Sequence, residues 1–322
     1  MICVQNTILL VDLREKIKMR MGKVRFLEKG EQIALPKWMG RLPKGWQKKY
    51  VEKGKPYVWE GDTAILQTTA ENSMTPVWRK NAEKLLEEMK HQEIAIIIPP
   101  LEGELPTDIL PFADGRRLTT LFAFIGAAEA LKRQGKNPAQ CRYLLVGGNE
   151  KIWRMALVSM GAEVNHLAIL TENVKEAEKL GQVLFEECGL MTQVFASPQN
   201  DTFGQADMVF CCGMEQRKYE RALKEGAIWI DLVANRPVLK RLRESRPDVI
   251  SCDGFFFGQG KGRKEGRRAE AEAFLSCRLF RESWRFFADD IAGKKIVYEL
   301  QEQGYAVSGF SRGGNRVKIQ KS

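Results

Sequence analysis

The eleven residues from Tyr143 to Trp153, Tyr-Leu-Leu-Val-Gly-Gly-Asn-Glu-Lys-Ile-Trp, constrain the fold more than any other stretch of the chain. A short apolar run enters Gly147, and a segment with helical character, Ile152 to Met160, follows at once. This strand–turn–helix order is the setting in which a G-x-G-x-x-G loop seats a diphosphate on the N–H groups of a helix N-terminus. Gly147 occupies a glycine position of that pattern. With a one-residue insertion in the turn, the two later glycine positions fall on Glu150 and Trp153. A carboxylate opposes a phosphate, and an indole takes the room that a small residue leaves for close helix–strand packing. The stretch therefore predicts a Rossmann-type turn and weakens its ligand at the same time.

The segments around it carry the same prediction outward. Strands are expected at Tyr143–Val146, His166–Thr171, Thr192–Phe195, Met208–Cys212, Ala227–Leu232 and Val249–Cys252. Helices are expected at Ile152–Met160, Val174–Glu187, Gln216–Lys224 and Val238–Glu244. Such alternation predicts an α/β fold with a doubly wound parallel sheet and right-handed crossovers. Upstream, strands at Thr7–Asp12, Thr63–Thr68 and Ile94–Ile98 and a helix at Val77–Lys90 suggest a second α/β unit, with no clear period between Pro36 and Pro56. A connecting helix, Leu118 to about Arg133, ends at Gly135, Asn137 and Pro138. Downstream, a basic glycine-rich loop (Gly258–Arg268) leads to a helix from about Ala269 to Phe287, a last helix (Asp290–Gln303) and a frayed tail.

At 322 residues the chain is long enough for two domains. The expected division is an N-terminal α/β domain with the connecting helix (1–135), a Rossmann-type domain (136–268) and C-terminal helices (269–322) that pack back on the first. The net charge of +10 lies largely in the runs Lys44–Lys55, Lys261–Arg268 and Arg312–Lys321, which read first as solvated loops and tails. Without a docking motif for nucleic acid, a nucleic-acid partner is disfavoured. No apolar run reaches the ~20 residues of a membrane span. Seven cysteines without C-x-x-C spacing predict neither a disulfide framework nor zinc, and point to a reducing cytoplasm. With only His91 and His166 in the chain, no metal site is expected.

With these segments in order, the chain resembles the long-chain acyl-carrier-protein reductases and the related predicted amino-acid dehydrogenases of the shikimate-dehydrogenase-like class. The resemblance runs from about residue 35 to 305 and rests on several short stretches. They are Leu35–Trp38 with Arg41-Leu42-Pro43, Asp114–Thr120, Ala206–Val209, Gly226–Asp231 and Arg236-Pro237. Arg246–Val249, Asp253-Gly254, Phe274–Cys277, Asp290–Ile296 and Gly304-Tyr305 continue the series. It implies an NAD(P)-dependent oxidoreductase acting on a carbonyl or acyl-thioester substrate, with a small molecule or an acyl carrier protein as partner.

Through the resemblance, Cys277 matches the nucleophilic cysteine of the reductases, with Phe280 where the family carries a carboxylate. A thiolate is required for that role, and Arg278 and Arg281 are the nearby charges in sequence; an inert, buried cysteine is the alternative. Gly147, Gly148 and Asn149 are the candidate diphosphate loop. Glu172 is either the ribose-binding acid, which favours NAD over NADP, or simply a carboxylate at a helix start. Asp231 closes a strand and so faces the ligand crevice. Asp114, and Thr119 in the helix it opens, are candidate substrate residues, with a helix-start role as the alternative for Asp114; Lys80 reads as an exposed helix residue. The competing functional reading is a degenerate Rossmann protein that binds a small molecule or protein without hydride transfer. Oligomeric state is left open.

Overall fold

The structure, a computed structural model of the 322-residue chain, describes residues 19–27, 35, 41, 43–54, 56–61, 63–68, 75–100, 105–106, 109–148, 150–161, 164–197, 201–213, 220–233, 236–258, 262–285 and 290–319. The strand expected at Thr7–Asp12 and the loop residues Asn149 and Asn235 lie outside them.

The N-terminal part supplies β1 (Arg20–Phe26), α1 (Lys44–Gly54), β2 (Tyr57–Glu60), β3 (Thr63–Leu66), α2 (Pro76–His91) and β4 (Ile94–Ile98). They build a four-stranded sheet of order β2-β3-β1-β4, parallel except for the β2–β3 hairpin. The apolar stripe of α2, with Leu85, Leu86 and Met89 at helical spacing, packs on Val24, Phe26, Leu66 and Ile97. β1, α1 and β2 were not expected from the sequence. The lysine-rich α1 hides its helical period behind charge.

The connector is two helices, α3 (Arg116–Leu121) and α4 (Ala123–Arg133), with a break at Phe122. It ends where expected, with Gly135 in the left-handed region at φ 81°.

The central part contains β5 (Arg142–Val146), α5 (Glu150–Leu157), β6 (His166–Leu170), α6 (Val174–Cys188), β7 (Thr192–Phe195), β8 (Met208–Cys211), β9 (Ile228–Asp231), α7 (Arg236–Ser245) and β10 (Ile250–Cys252). Its six strands are all parallel, in the spatial order β7-β6-β5-β8-β9-β10. This is the doubly wound Rossmann order, whose direction of travel reverses between β5 and β8. Period-2 alternation assigns the two faces. Tyr143, Leu145, Met208, Phe210, Ile228 and Ile230 share a core with α3–α6, whereas Leu144, Val146, Val209 and Trp229 share one with α7. In place of the helix expected at Gln216–Lys224, the described residues hold only a short 3-10 turn at Glu220–Ala222.

The C-terminal part corrects two expectations. β11 (Gly254–Phe257), β12 (Lys264–Glu265), α8 (Gly266–Ser276), α9 (Arg278–Glu282) and α10 (Asp290–Glu302) precede β13 (Val307–Arg312) and β14 (Asn315–Val317). The segment read as a frayed tail is a hairpin that completes an antiparallel sheet of order β12-β11-β13-β14. The single helix expected over 269–287 is two, because Cys277 adopts an extended backbone between α8 and α9. α8 packs against α3, β4, β1 and β11, and so joins the N-terminal sheet to the C-terminal one.

Candidate functional site

In a doubly wound sheet the ligand crevice lies at the carboxyl ends of the strands where the order reverses, here between β5 and β8. Gly147 leaves β5 at φ 118°, a conformation that L side chains rarely adopt. A Cβ there would stand 2.9 Å from the Cys212 carbonyl carbon and the Gly213 nitrogen. The turn after β5 is therefore pressed against the turn after β8, and only glycine fits. Gly148 is exposed, and its carbonyl accepts a hydrogen bond from Asn173 Nδ2 at 3.0 Å, which ties the turn to the end of β6.

The two residues that replace later glycines of the pattern are both accommodated. Glu150 opens α5, and its carboxylate accepts from Arg154 Nε at 2.8 Å one helical turn on, so a cation partners the charge. Trp153 is fully buried in the main core, with its Nε1 left without a partner among the described residues. The indole fills the room between helix and sheet as core, not as an obstruction at the crevice.

Glu172 is exposed just beyond β6, next to a turn fixed by Thr171 Oγ1, which accepts from Asn173 N at 3.0 Å. Asp231 is fully buried at the end of β9, and its Oδ1 accepts from Val233 N at 3.0 Å. Burial lowers the Arg116 guanidinium, but the charge and hydrogen bond of Asp114, with smaller contributions from Glu270 and Asp231, outweigh this and raise it. The helix whose start holds Arg116, α3, packs against α5, which follows the glycine turn.

At that start, Asp114 Oδ1 accepts from Arg116 N at 3.0 Å and Oδ2 from Arg116 Nε at 2.6 Å. The two partly exposed side chains form an ion pair. Gly115, at φ 86°, is the N-cap of α3. The contact with Arg116 N is the helix-start role, and the side chain keeps partial exposure. Thr119 is 1% exposed, and its hydroxyl finds no hydrogen-bond partner among the described residues. Lys80 is exposed on α2.

Cys277 sits elsewhere, at the α8–α9 junction, with no exposure. Its sulfur accepts from Phe280 N at 3.4 Å and so caps α9. Burial pushes the thiol up, Glu299 adds to this, and the amides of Phe280 and Leu279 only partly oppose it. The two arginines near it in sequence are engaged elsewhere: Arg278 with Glu282, and Arg281 with the carbonyls of Phe274 and Leu275.

The sequence reading passed over Arg116 and Glu270. Glu270 is a fully buried carboxylate among buried alanines, Ala269, Ala271 and Ala273, and nothing in that run sets it apart from Glu272. Among the described residues no group of three or more His, Cys, Asp or Glu side chains could hold a metal ion. Among the described residues no helix is long and apolar enough to cross a membrane.

No protein-family model matches the sequence, and no curated protein matches it. Solved structures do match over most of the chain. The ligand-free 5-ketofructose reductase of Gluconobacter sp. strain CHM43 is 11% identical, with 88% of this chain and 99% of that one covered and a TM-score of 0.35. Quinate dehydrogenase from Corynebacterium glutamicum, in complex with NAD, is 13% identical over 87% of this chain and 99% of that one, at a TM-score of 0.36. L-tryptophan dehydrogenase from Nostoc punctiforme is 11% identical over 89% and 90%, at a TM-score of 0.35.

Proposed function

We propose that this chain binds a nicotinamide dinucleotide at the β5–β8 switch point and is an NAD(P)-dependent oxidoreductase acting on a carbonyl or hydroxyl group of a small molecule. The observation that carries the reading is the left-handed turn at Gly147, seated on Cys212 and Gly213 where the strand order reverses. The residues present fit such a group. Gly147 brings backbone close to the crevice without a side chain, Gly148 is exposed, and Arg154 offsets the charge of Glu150.

In this reading Gly147, Gly148 and Asn149 hold the diphosphate, and Glu172 accepts from the ribose hydroxyls, which favours NAD over NADP. Asp231 lines the floor of the crevice. Asp114 and Arg116 orient the substrate oxygen, with Arg116 as a permanent donor, and Thr119 lies beneath them in α3. The bound nicotinamide supplies or accepts the hydride. The chain divides accordingly into residues 1–135 with 269–322 on one side of the crevice and the six-stranded part from residue 136 on the other, with β11 and β12 joining the C-terminal part whose sheet they share.

An acyl-thioester substrate, delivered by an acyl carrier protein, is the narrower form of this reading. It needs a reactive thiolate, and the buried, raised Cys277 favours a plain carbonyl or hydroxyl substrate instead. A second reading, a Rossmann protein that binds without hydride transfer, is favoured by one specific contact. The Asn173–Gly148 hydrogen bond crosses between the glycine turn and the end of β6, where a dinucleotide would have to lie.

Titration of the purified protein with NADH and NADPH, followed by nicotinamide fluorescence and thermal shift, separates the two. Saturable binding with NADH the tighter ligand supports the oxidoreductase. Absence of binding by either cofactor, reduced or oxidised, up to millimolar concentration removes it.

A further inference from the structure

The N-cap of α3 is a glycine, so the helix start has no side chain of its own to satisfy its first N–H groups. Glu270, from α8, supplies what is missing. One carboxylate oxygen accepts from Gly115 N at 3.1 Å, the other from Leu118 N at 2.8 Å. The same turn is held on its outer side by Asp114, through Arg116 N and Nε. Residues 114–118 thus hang between an exposed carboxylate and a buried one.

The charged groups that act on Glu270 come from this turn: Asp114 repels it, and Arg117, whose guanidinium also lies over the Trp284 ring, attracts it. Arg116 lies in the field of Asp114, Glu270 and Asp231. The other elements packed on α8 offer little. β4 and β11 carry no charged residue. On β12, Lys264 pairs with Glu272; Arg267 pairs with Glu265, and Arg268 with Glu272. On α9, Arg278 pairs with Glu282 and Arg281 bonds the α8 carbonyls. β1 carries Arg20, Lys23 and Arg25, of which Arg25 pairs with Glu60.

We infer that Glu270 is a positioning residue for the crevice: through the Gly115 and Leu118 amides it sets where the Asp114–Arg116 pair stands, and the protonation state of its carboxyl alters that hold. The inference rests on the proposed function only for its consequence, since Asp114 and Arg116 are the groups assigned to the substrate. The two protonation states hold these amides differently. An ionised carboxylate offers two equivalent charged acceptors, whereas the neutral acid offers one carbonyl and one weaker hydroxyl oxygen. Burial, with the Asp114 charge added, raises the Glu270 carboxyl to about 8, against the pull of the two amides and Arg117. The change of hold therefore falls within the range of ordinary experiments.

The test uses the full-length chain labelled with 15N-arginine, and amide hydrogen exchange corrected for its intrinsic pH dependence. In the parent, the Arg116 Nε–H resonance, assigned by its loss in Arg116→Lys, should titrate with a midpoint near that of Glu270. Protection of the 115–118 amides should fall by roughly fivefold as pH rises over the same range, because an opening that frees the carboxyl returns it to its ordinary range and is favoured once the proton is lost. In Glu270→Gln both pH dependences should vanish, while Glu270→Asp should keep them with a displaced midpoint. A parent protein flat in pH, or a Glu270→Gln variant that titrates as the parent does, would overturn the inference. Neither readout needs cofactor or substrate. Failure to bind NADH would overturn the oxidoreductase reading and leave this result standing.

Discussion

A Cβ placed on Gly147 would come to 2.9 Å from the carbonyl carbon of Cys212, so the turns after β5 and β8 meet with no room for a side chain between them. Gly147→Ala therefore carries both this backbone clash and the cost of a left-handed alanine at φ 118°. A loss of about 1–3 kcal/mol is expected, read from the urea midpoint. In the proposed oxidoreductase the same variant should weaken NADH binding at least tenfold; unchanged affinity would mean that the turn does not touch the cofactor.

Asp207 anchors the start of β5, where Oδ2 accepts from Arg142 N at 3.1 Å and Oδ1 from Lys224 Nζ at 2.7 Å, with Lys136 Nζ at 3.6 Å. Burial pushes its carboxyl up, but the Lys224 hydrogen bond, the Arg142 amide and the two lysine charges outweigh this and hold it below the usual range. A depressed folded pKa stabilises above the unfolded value, and that stability is lost as pH falls through the folded one. Asp207→Asn should cost about 1–3 kcal/mol at pH 7. The gap from the parent should close below about pH 4, as thermal unfolding across pH would show.

Glu270 has the opposite sign. Its carboxyl is raised from an ordinary 4.5 to about 8, so the folded state binds the extra proton between those values. Stability from this group is present below pH 4.5 and is lost progressively as pH rises to about 8. The loss is on the order of a few kcal/mol. Glu270→Gln should flatten this slope; chemical denaturation of both proteins at pH 5 and pH 8.5 would reveal an unchanged slope if the carboxyl is not responsible.

Cys277 should resist modification in the native protein, because its thiol is buried and raised. Among the described cysteines, the exposed Cys188 should react first with iodoacetamide, and peptide mapping would locate the label. Cys277→Ala removes the sulfur that caps α9 and should cost roughly 1–2 kcal/mol, with cofactor affinity unchanged. Rapid alkylation of Cys277 ahead of Cys188 would return the thiolate chemistry of the acyl-thioester reading.

Gly126 in α4 lets the helix rest on the buried Phe255 ring, 2.3 Å from where a Cβ would lie. That ring packs edge-on against Phe257 and Phe310, so it has little freedom to move aside. Gly126→Ala should destabilise by about 1–3 kcal/mol despite the better helix propensity of alanine, as the urea midpoint would show.

The sequence by itself determined the doubly wound sheet. Its strands are short apolar runs bounded by glycine, asparagine and aspartate, and their alternation with helical segments is local information that needs no knowledge of neighbours. It likewise marked Gly147, because a glycine leaving a buried strand points to unusual backbone. Tertiary structure alone decided the rest. β13 pairs with β11, more than fifty residues upstream, and its Ser308 and Ser311 dilute the apolar pattern, so nothing local separates it from a tail. Cys277 matched a family position in sequence, yet its reactivity depends on burial and on Phe280 N, which only packing supplies. Glu270 lies in an ordinary Ala-Glu-Ala-Glu-Ala run. The docking of α8 against α3 puts this glutamate, and not Glu272, which pairs with Lys264 and Arg268, on the free amides of a glycine-capped helix. Contacts that join segments 150 residues apart leave no period or motif in the chain. They exist only once the sheets have met.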